Sequence, residues 1–478
     1  MIGRLVARFW YEGIWLRLLV AVVVILLLQL TPVPQVPLDA LRRALALSDQ
    51  GQHEQAAQAL GVMYQYQPWS ADRLAFRVQE DLLGYDVGGA QRDLERLASL
   101  RPLTDAELVT LVAIHIQQDD MPAAEQLWRD ALANGRIKPD DLSTLAQTAT
   151  DHQDWPSAAS ALLGLTIAHP DDPVPLYRLG LVETLDLPQY ALGTLTRVGA
   201  MGSSYARPAS LLEENVALRV VESPDKVYAR LGIIYISLGE FELAETALTR
   251  AHDANPAYAE ALGYLAYSRA RLGRPALGAI HEALGLSPAD PILHYLAGLI
   301  LKQDNRLDDA RAEFETAYDL DPTDPAFAVE IASIHRAEHA EAYAEIWLEE
   351  AVRLAPGDIQ FKLLLAEFYA DDNYRVKEAG LPLAEQLVAD NPDNAEAHAV
   401  LGWDVFQLGD TSRALLELDK AAQLDPNLVR AQLHLGIVTE STGDTTQAIA
   451  YYQRASQLDP QGSFGALARR ALKRLGVG

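Results

Sequence analysis

The chain has 478 residues, too many for one compact core, because single cores stop growing near roughly 250–300 residues; several domains or an extended repeat array are expected. Hydrophobic residues at 49% and charged residues at 22% exclude wholesale disorder. A net charge of −27, from 39 Lys+Arg against 66 Asp+Glu, argues against binding nucleic acid or an anionic membrane through bulk charge, and the absence of cysteine excludes disulfides, thiolate metal sites and cysteine nucleophiles.

Residues 1–13 form a short N-terminal segment carrying Arg4 and Arg8. Ile14–Leu30 is apolar apart from Arg17 and Gln29. At 1.5 Å per residue this run spans about 25 Å, the short end for a transmembrane helix. Arg17 lies one turn inside the run, where its stem reaches the headgroups, and Phe9, Trp10, Tyr11 and Trp15 supply an aromatic belt. Pro32, Pro34 and Pro37 then predict a helix stop and a stiff spacer over 31–36. A cleaved signal peptide fits less well, since TPVPQVPLDA offers no small-residue cleavage pattern. Arg4, Arg8 and Arg17 precede the run, whereas Arg42 and Arg43 lie more than ten residues beyond it. The positive-inside rule therefore predicts a single-pass membrane protein with a cytoplasmic N-terminus and its body on the far side.

Residues 37–202 repeat weakly. Ala56/Leu60, Ala90/Leu94, Ala124/Trp128 and Ala158/Leu162 recur in one pattern, and about five degenerate copies are expected there. Residues 203–223 fit no copy and predict an extra helix at a joint. From 224 to 460 the repetition is clear: Pro256, Pro288, Pro322, Pro356, Pro392, Pro426 and Pro460 are spaced by 32, 34, 34, 36, 34 and 34 residues. In the sharpest copy, 224–256, Tyr228, Leu231, Gly232 and Tyr235 share one helix face, and Leu238-Gly239 closes that helix with a left-handed cap. Ala244, Leu248 and Ala251 stripe a second helix, which Pro256 ends. The copy at 257–288 lacks two residues and the copy at 359–392 has two more; both changes are assigned to the inter-helix turn. Phe464–Leu475, with Arg469, Arg470, Lys473 and Arg474, predicts a capping helix within 461–478.

These residues resemble the tetratricopeptide repeat, whose signature is W-x2-L-G-x2-Y, then A-x3-F, then P. The small–large pair recurs as Leu179-Gly180, Leu401-Gly402 and Leu435-Gly436, and the second-helix pair as Ala310/Phe314, Ala344/Leu348, Ala414/Leu418 and Ala448/Tyr452. The resemblance implies an all-α fold: seven repeats in 224–460 and, over the whole body, a right-handed superhelical solenoid of about twelve helical hairpins.

Motifs for chemistry are sparse. His335-Arg336-Ala337-Glu338-His339 matches the H-x-x-E-H zinc-peptidase pattern, but the repeat already accounts for that spacing. Gly88-Gly89 is assigned to an inter-helix turn. Asp119-Asp120, Asp140-Asp141 and Asp371-Asp372 are assigned to helix starts or turns, where carboxylates cap amides. No serine-nucleophile, P-loop, dinucleotide or calcium-loop motif is present. The chain is therefore expected to be no enzyme, with no catalytic residue, cofactor, metal or small-molecule substrate.

The remaining candidate is a surface. In the repeat family the inner face comes mostly from the first helix of each pair. Carried onto this sequence, that face holds Ile233, Ile236, Tyr267, Arg271, Tyr295, Leu299, Lys302, Arg336, Trp403, Phe406 and Ile437. Aromatic and aliphatic residues along a groove suit an extended peptide or partner helix, and the row Arg271, Lys302, Arg336 suits an acidic segment. The Lys/Asn clamp for a chaperone's C-terminal carboxylate is replaced here by Ala229, Ile233, Gly263 and Tyr267, so that ligand is not expected. The function expected is a membrane-anchored scaffold that binds proteins or peptides and assembles a complex at the envelope. The alternative is a non-catalytic accessory subunit of envelope polysaccharide or glycan machinery; a zinc hydrolase ranks third.

Overall fold

The computed structural model describes residues 35–66 and 70–477. The expected segment 1–13, the transmembrane helix 14–30 and most of the 31–36 spacer lie outside the described residues. Among those described, no helix is long and apolar enough to cross a membrane. They form 26 α-helices and one π-helical turn, with no strand, and divide between Ser223 and Pro224 into two compact units.

The first unit contains α1 (Gln35–Asp49), α2 (His53–Tyr66), α3 (Ala71–Leu83), α4 (Val87–Leu100), α5 (Asp105–Gln117), α6 (Met121–Ala133), α7 (Pro139–Asp151), α8 (Trp155–Ala168), α9 (Pro173–Asp186), α10 (Pro188–Gly199) and the lone α11 (Ser203–Leu218). The second contains seven hairpins: α12 (Pro224–Leu238) with α13 (Phe241–Ala254), α14 (Ala259–Arg271) with α15 (Leu277–Leu286), α16 (Pro291–Gln303) with α17 (Leu307–Leu320), and α18 (Pro325–Ala337) with α19 (Glu341–Leu354). Then come α20 (Ile359–Asp371) with α21 (Leu381–Asp390), α22 (Ala395–Gln407) with α23 (Thr411–Leu424), and α24 (Val429–Ser441) with α25 (Thr445–Leu458), followed by α26 (Ser463–Arg474). Within each unit, successive helices pack against one another in pairs.

Carboxylates start many of these helices. Asp86, Asp120, Asp154, Asp410 and Asp444 each accept a hydrogen bond from the amide three residues on, at the head of a second helix. Asp172, Asp290, Asp324 and Asp358 accept from the amide two residues on, at the head of a first helix. Each satisfies an amide that has no intrahelical partner. Part of the chain's acidic excess is therefore structural. Gly88 and Gly89 belong to the first turn of α4, with Gly89 N donating to Asp86 at 2.8 Å; they are not in the inter-helix turn expected from the sequence.

Most turns between paired helices place a residue in the left-handed region, the α9–α10 turn being an exception. In the second unit these are Gly239, Gly273, Asn305, His339, Asn373, Gly409 and Gly443. In the first they are Gly51, Tyr85, Asp119 and Gln153. Only glycine takes this conformation without a Cβ penalty, so the non-glycine members are held by the packing on either side.

The length changes at 257–288 and 359–392 are not in these turns, which corrects the sequence assignment. In the short copy the second helix opens at Leu277 rather than two residues past the left-handed Gly273, and has 10 residues where α13 has 14. In the long copy the extra residues follow the left-handed Asn373: Arg375 is also left-handed, and Val376–Gly380 winds as a π-helical turn ahead of α21. A π turn takes in extra residues without breaking the helix.

The core follows the repeat signature. Ala56, Leu60, Ala90, Leu94, Ala124, Trp128, Ala158 and Leu162 are all buried, as are Ala310, Phe314, Ala448 and Tyr452. In four hairpins of the second unit the large residue of the second helix lies on a glycine of the first: Leu248 on Gly232, Phe314 on Gly298, Leu418 on Gly402 and Tyr452 on Gly436. A Cβ on Gly298 would stand 2.4 Å from Phe314 Cε1, and one on Gly436 would stand 2.6 Å from Tyr452 Cδ1. The two halves of the signature are one contact.

Candidate interaction surface

On the seven first helices of the second unit, Ile233, Tyr267, Leu299, Ser333, Glu367, Trp403 and Ile437 occupy one register position, and all seven are half-buried. Five were expected from the sequence. Ser333 and Glu367 were missed, because a polar residue at that place gives no apolar or cationic signal; the spacing alone would have found them. One turn further on come Ile236, Arg271, Lys302, Arg336, Asp371, Phe406 and Glu440. Tyr295 stands one turn before Leu299.

The two ends of this face are apolar. At one end Tyr267 meets Phe241 edge-on at 6.4 Å. Arg271 lies over the Phe241 ring at 4.4 Å and donates to the Tyr267 hydroxyl at 3.0 Å. At the other end Trp403 packs on Phe406 at 5.4 Å. Several of the expected residues also serve the solenoid. Tyr295 packs with its ring tilted against Phe314 and Phe327, while Leu299, Trp403, Phe406 and Ile437 pack on neighbouring buried clusters.

The middle is charged. Lys302 Nζ donates to Glu330 Oε2 and Ser333 Oγ, both at 2.7 Å. Arg336 makes a two-pronged pair with Asp372 at 2.8 and 2.9 Å and lies over Phe368 at 5.5 Å. Two of the three cations expected to form a basic row are therefore paired with carboxylates. No carboxylate pairs with Arg271 among the described residues. Asp371 and Asp372 sit at the C-terminal end of α20, where the helix dipole disfavours negative charge, and each is met by an arginine instead. Arg430 of α24, unsignalled in the sequence, bonds Asp371 at 2.6 Å and Glu367 at 3.1 Å and lies over Phe464 at 5.1 Å. Burial raises the Glu367 carboxyl above its ordinary range, with Arg430 opposing.

Beneath the apolar end, His434 is stacked on Trp403 at 4.1 Å with the rings 13° apart. Burial, then Arg430, pushes the His434 imidazole down to about 3, so it is neutral. Asp404, next to Trp403 in the chain, is wholly buried and neither carboxyl oxygen has a hydrogen-bond partner. Burial, then the Asp371 charge, pushes its carboxyl up to about 7.

The H-x-x-E-H residues do not converge on a metal site. His335 Nδ1 is 3.5 Å from Glu338 Oε2 and its ring stacks on Tyr343. Glu338 accepts from Arg311 at 3.0 and 2.8 Å, and His339 is the left-handed turn residue. No group of three or more metal-ligating side chains occurs among the described residues.

A family model described as tetratricopeptide repeat matches residues 230–291, 276–325, 295–359, 377–429 and 400–463, all within the second unit. No curated protein matches the chain. Similar solved structures include yeast Tom70, at 14% identity over 92% of this chain and 95% of that one, with a TM-score of 0.42. Another is a tetratricopeptide repeat protein from Parabacteroides merdae, at 14% identity over 52% and 98%, with a TM-score of 0.43. A third is YrrB, described as a TPR protein with an unusual peptide-binding site, at 18% identity over 40% and 98%, with a TM-score of 0.29.

Proposed function

We propose that the tetratricopeptide repeats spanning 230–359 and 377–463 make this chain a scaffold that binds an extended segment of a protein partner. The observation that carries this reading is the register of seven half-buried side chains on successive first helices. A half-buried aromatic or aliphatic residue is held in place by its own repeat and still has surface left to lose to a ligand. Such rigid anchors carry most of the energy of peptide recognition. The partner segment has apolar side chains for Ile233, Ile236 and Tyr267 at one end and for Trp403, Phe406 and Ile437 at the other. Polar groups lie between them, over Ser333 and the paired charges.

The scaffold is tethered to a membrane by residues 14–30, with the N-terminus cytoplasmic and the repeats on the far side. The apolar run, its aromatic flank and the arginines before it support this placement.

Crosslinking in intact cells identifies the partner, and a pull-down compares wild type with a Tyr267→Ala, Trp403→Ala, Ile437→Ser variant. The expected result is loss of the partner from a variant that stays folded. An unchanged bound set would reject this face. Deletion of residues 1–30 is expected to release the protein from the membrane fraction; continued sedimentation with membranes would reject the tether. External protease acting on intact cells or spheroplasts checks the orientation.

A further inference from the structure

The first unit holds a pocket of about 240 Å³ among α6, α8, α9 and α10. That is below the about 300–1,000 Å³ of sites for drug-sized ligands, and suits a single side chain or a small amine. Its apolar wall includes Leu163, Leu176 and Leu179, all buried. Glu183 is part of the lining and only 2% exposed. The Thr194 hydroxyl hydrogen-bonds the Glu183 carboxyl, while its Oε2 has no partner. A buried carboxyl oxygen with nothing to accept from is costly, and the Glu183 side chain that carries it borders the pocket.

The local charges favour a cation. The Tyr190 hydroxyl, also in the lining, donates to Asp119 Oδ1. Burial, followed by the charges of Asp119, Glu183 and Asp120, pushes that hydroxyl up to about 12. Three acidic side chains therefore stand around one point of the pocket. Arg197, the cation in the lining, donates to the Pro170 carbonyl at 3.0 Å. No lysine or arginine pairs with Glu183 among the described residues, and burial pushes its carboxyl up to about 7.

We propose that this pocket binds an alkyl cation, with the ammonium or guanidinium head at the Glu183 carboxyl and the aliphatic stem along the leucines. Its source is a lysine or arginine side chain of a polypeptide partner. That source rests on the protein-binding reading above; the pocket chemistry does not. A net charge of −27 on this chain favours a basic partner in any case.

The test titrates the full chain, by calorimetry and saturation-transfer NMR, with Nα-acetyl-arginine amide, Nα-acetyl-lysine amide and n-butylammonium. Uncharged Nα-acetyl-norleucine amide is the control. The cations are expected to bind at least tenfold tighter than norleucine amide, and tighter at pH 8 than at pH 6 as Glu183 ionises. Glu183→Gln keeps the shape and the Thr194 contact and is expected to lose tenfold or more in affinity. Gly193 also lines the pocket, and a Cβ there meets nothing within 4 Å. Gly193→Leu is therefore expected to fill the pocket and abolish binding with no fall in melting temperature. Capped residues binding better than butylammonium assigns the site to a polypeptide; the reverse keeps the chemistry and assigns it to a free amine. Equal affinity for Glu183→Gln, equal affinity for norleucine amide, or no cation binding to folded wild type overturns the proposal. The pull-down with second-unit variants reads the other face alone, so either idea can fail without the other.

Discussion

Arg430 and Asp371 are 59 residues apart and share a 2.6 Å hydrogen bond. It ties the first helix of the seventh hairpin of the second unit to the first helix of the fifth, past the sixth between them. Nearest-neighbour packing dominates solenoid energetics, and this bond is a second-neighbour term. Arg430→Ala leaves Glu367 and Asp371 without their cation. A loss of about 1.5–3 kcal/mol is expected, the range for hydrogen bonds to charged groups. Denaturant unfolding of Arg430→Ala, Asp371→Ala and the double variant checks it; a coupling energy near zero would show that the bond does not link the repeats.

The glycine–aromatic contact sets a sharp steric limit. Gly298→Ala gains about 1 kcal/mol of helix propensity but puts a Cβ 2.4 Å from Phe314 Cε1, and overpacking costs about 1–3 kcal/mol. A net destabilisation of up to about 2 kcal/mol is expected, partly recovered by adding Phe314→Leu. Gly285, whose Cβ would meet nothing within 4 Å, gives the contrast. Gly285→Ala is expected to stabilise by about 0.4–1 kcal/mol. If thermal melting places the two substitutions on the same side of wild type, close packing does not decide the effect.

Asp404 makes stability depend on pH. Its folded pKa is raised from 3.8 to about 7, so between those values the native state holds a proton that the unfolded chain has released. That stability is fully present below about pH 3.8 and falls as pH rises to 7, by on the order of 4 kcal/mol. Asp404→Asn removes that slope. The variant is expected to match wild type near pH 4.5 and exceed it at pH 8. Chemical unfolding at both pH values reads the difference between the two proteins, which cancels the parallel slope from Glu183. A variant no more stable than wild type at pH 8 would mean that the carboxylate finds a partner when charged.

His339 separates turn from metal ligand. It holds φ at 54° in the place that glycine takes in four of the seven hairpins of the second unit. His339→Gly relieves a left-handed strain of about 1–2 kcal/mol and loosens the unfolded chain, for an expected net gain of about 0.5–1 kcal/mol. Zinc measured on the purified protein should be unchanged by the substitution. A stability loss together with loss of bound zinc would restore the H-x-x-E-H reading.

The repeat itself was legible in the chain. Its proline spacing, its Leu-Gly and Ala/Phe pairs and its acidic turn residues are local signals, each specifying a cap, a stop or a close approach within one hairpin. They dictate helical pairs whatever lies next to them. The same signals fade in the first unit, where Tyr85, Asp119 and Gln153 stand in the left-handed turns that glycine marks elsewhere. There the left-handed turns keep the 34-residue spacing of the Ala56, Ala90, Ala124 and Ala158 series, although glycine no longer marks them. The two length changes were located to the right hairpins but the wrong segment, since composition does not reveal that a shortened second helix takes up the loss and a π turn the gain.

What the sequence could not determine is which charges meet and which are left alone. Lys302 and Arg336 looked like a free basic row, and only the folded chain puts Glu330 and Asp372 against them. Arg430, Asp404 and Glu183 give no motif. Their pairing or burial depends on residues far along the chain, because ionic and desolvation energies depend on distance and burial in space. Sequence spacing fixes those only within a single hairpin.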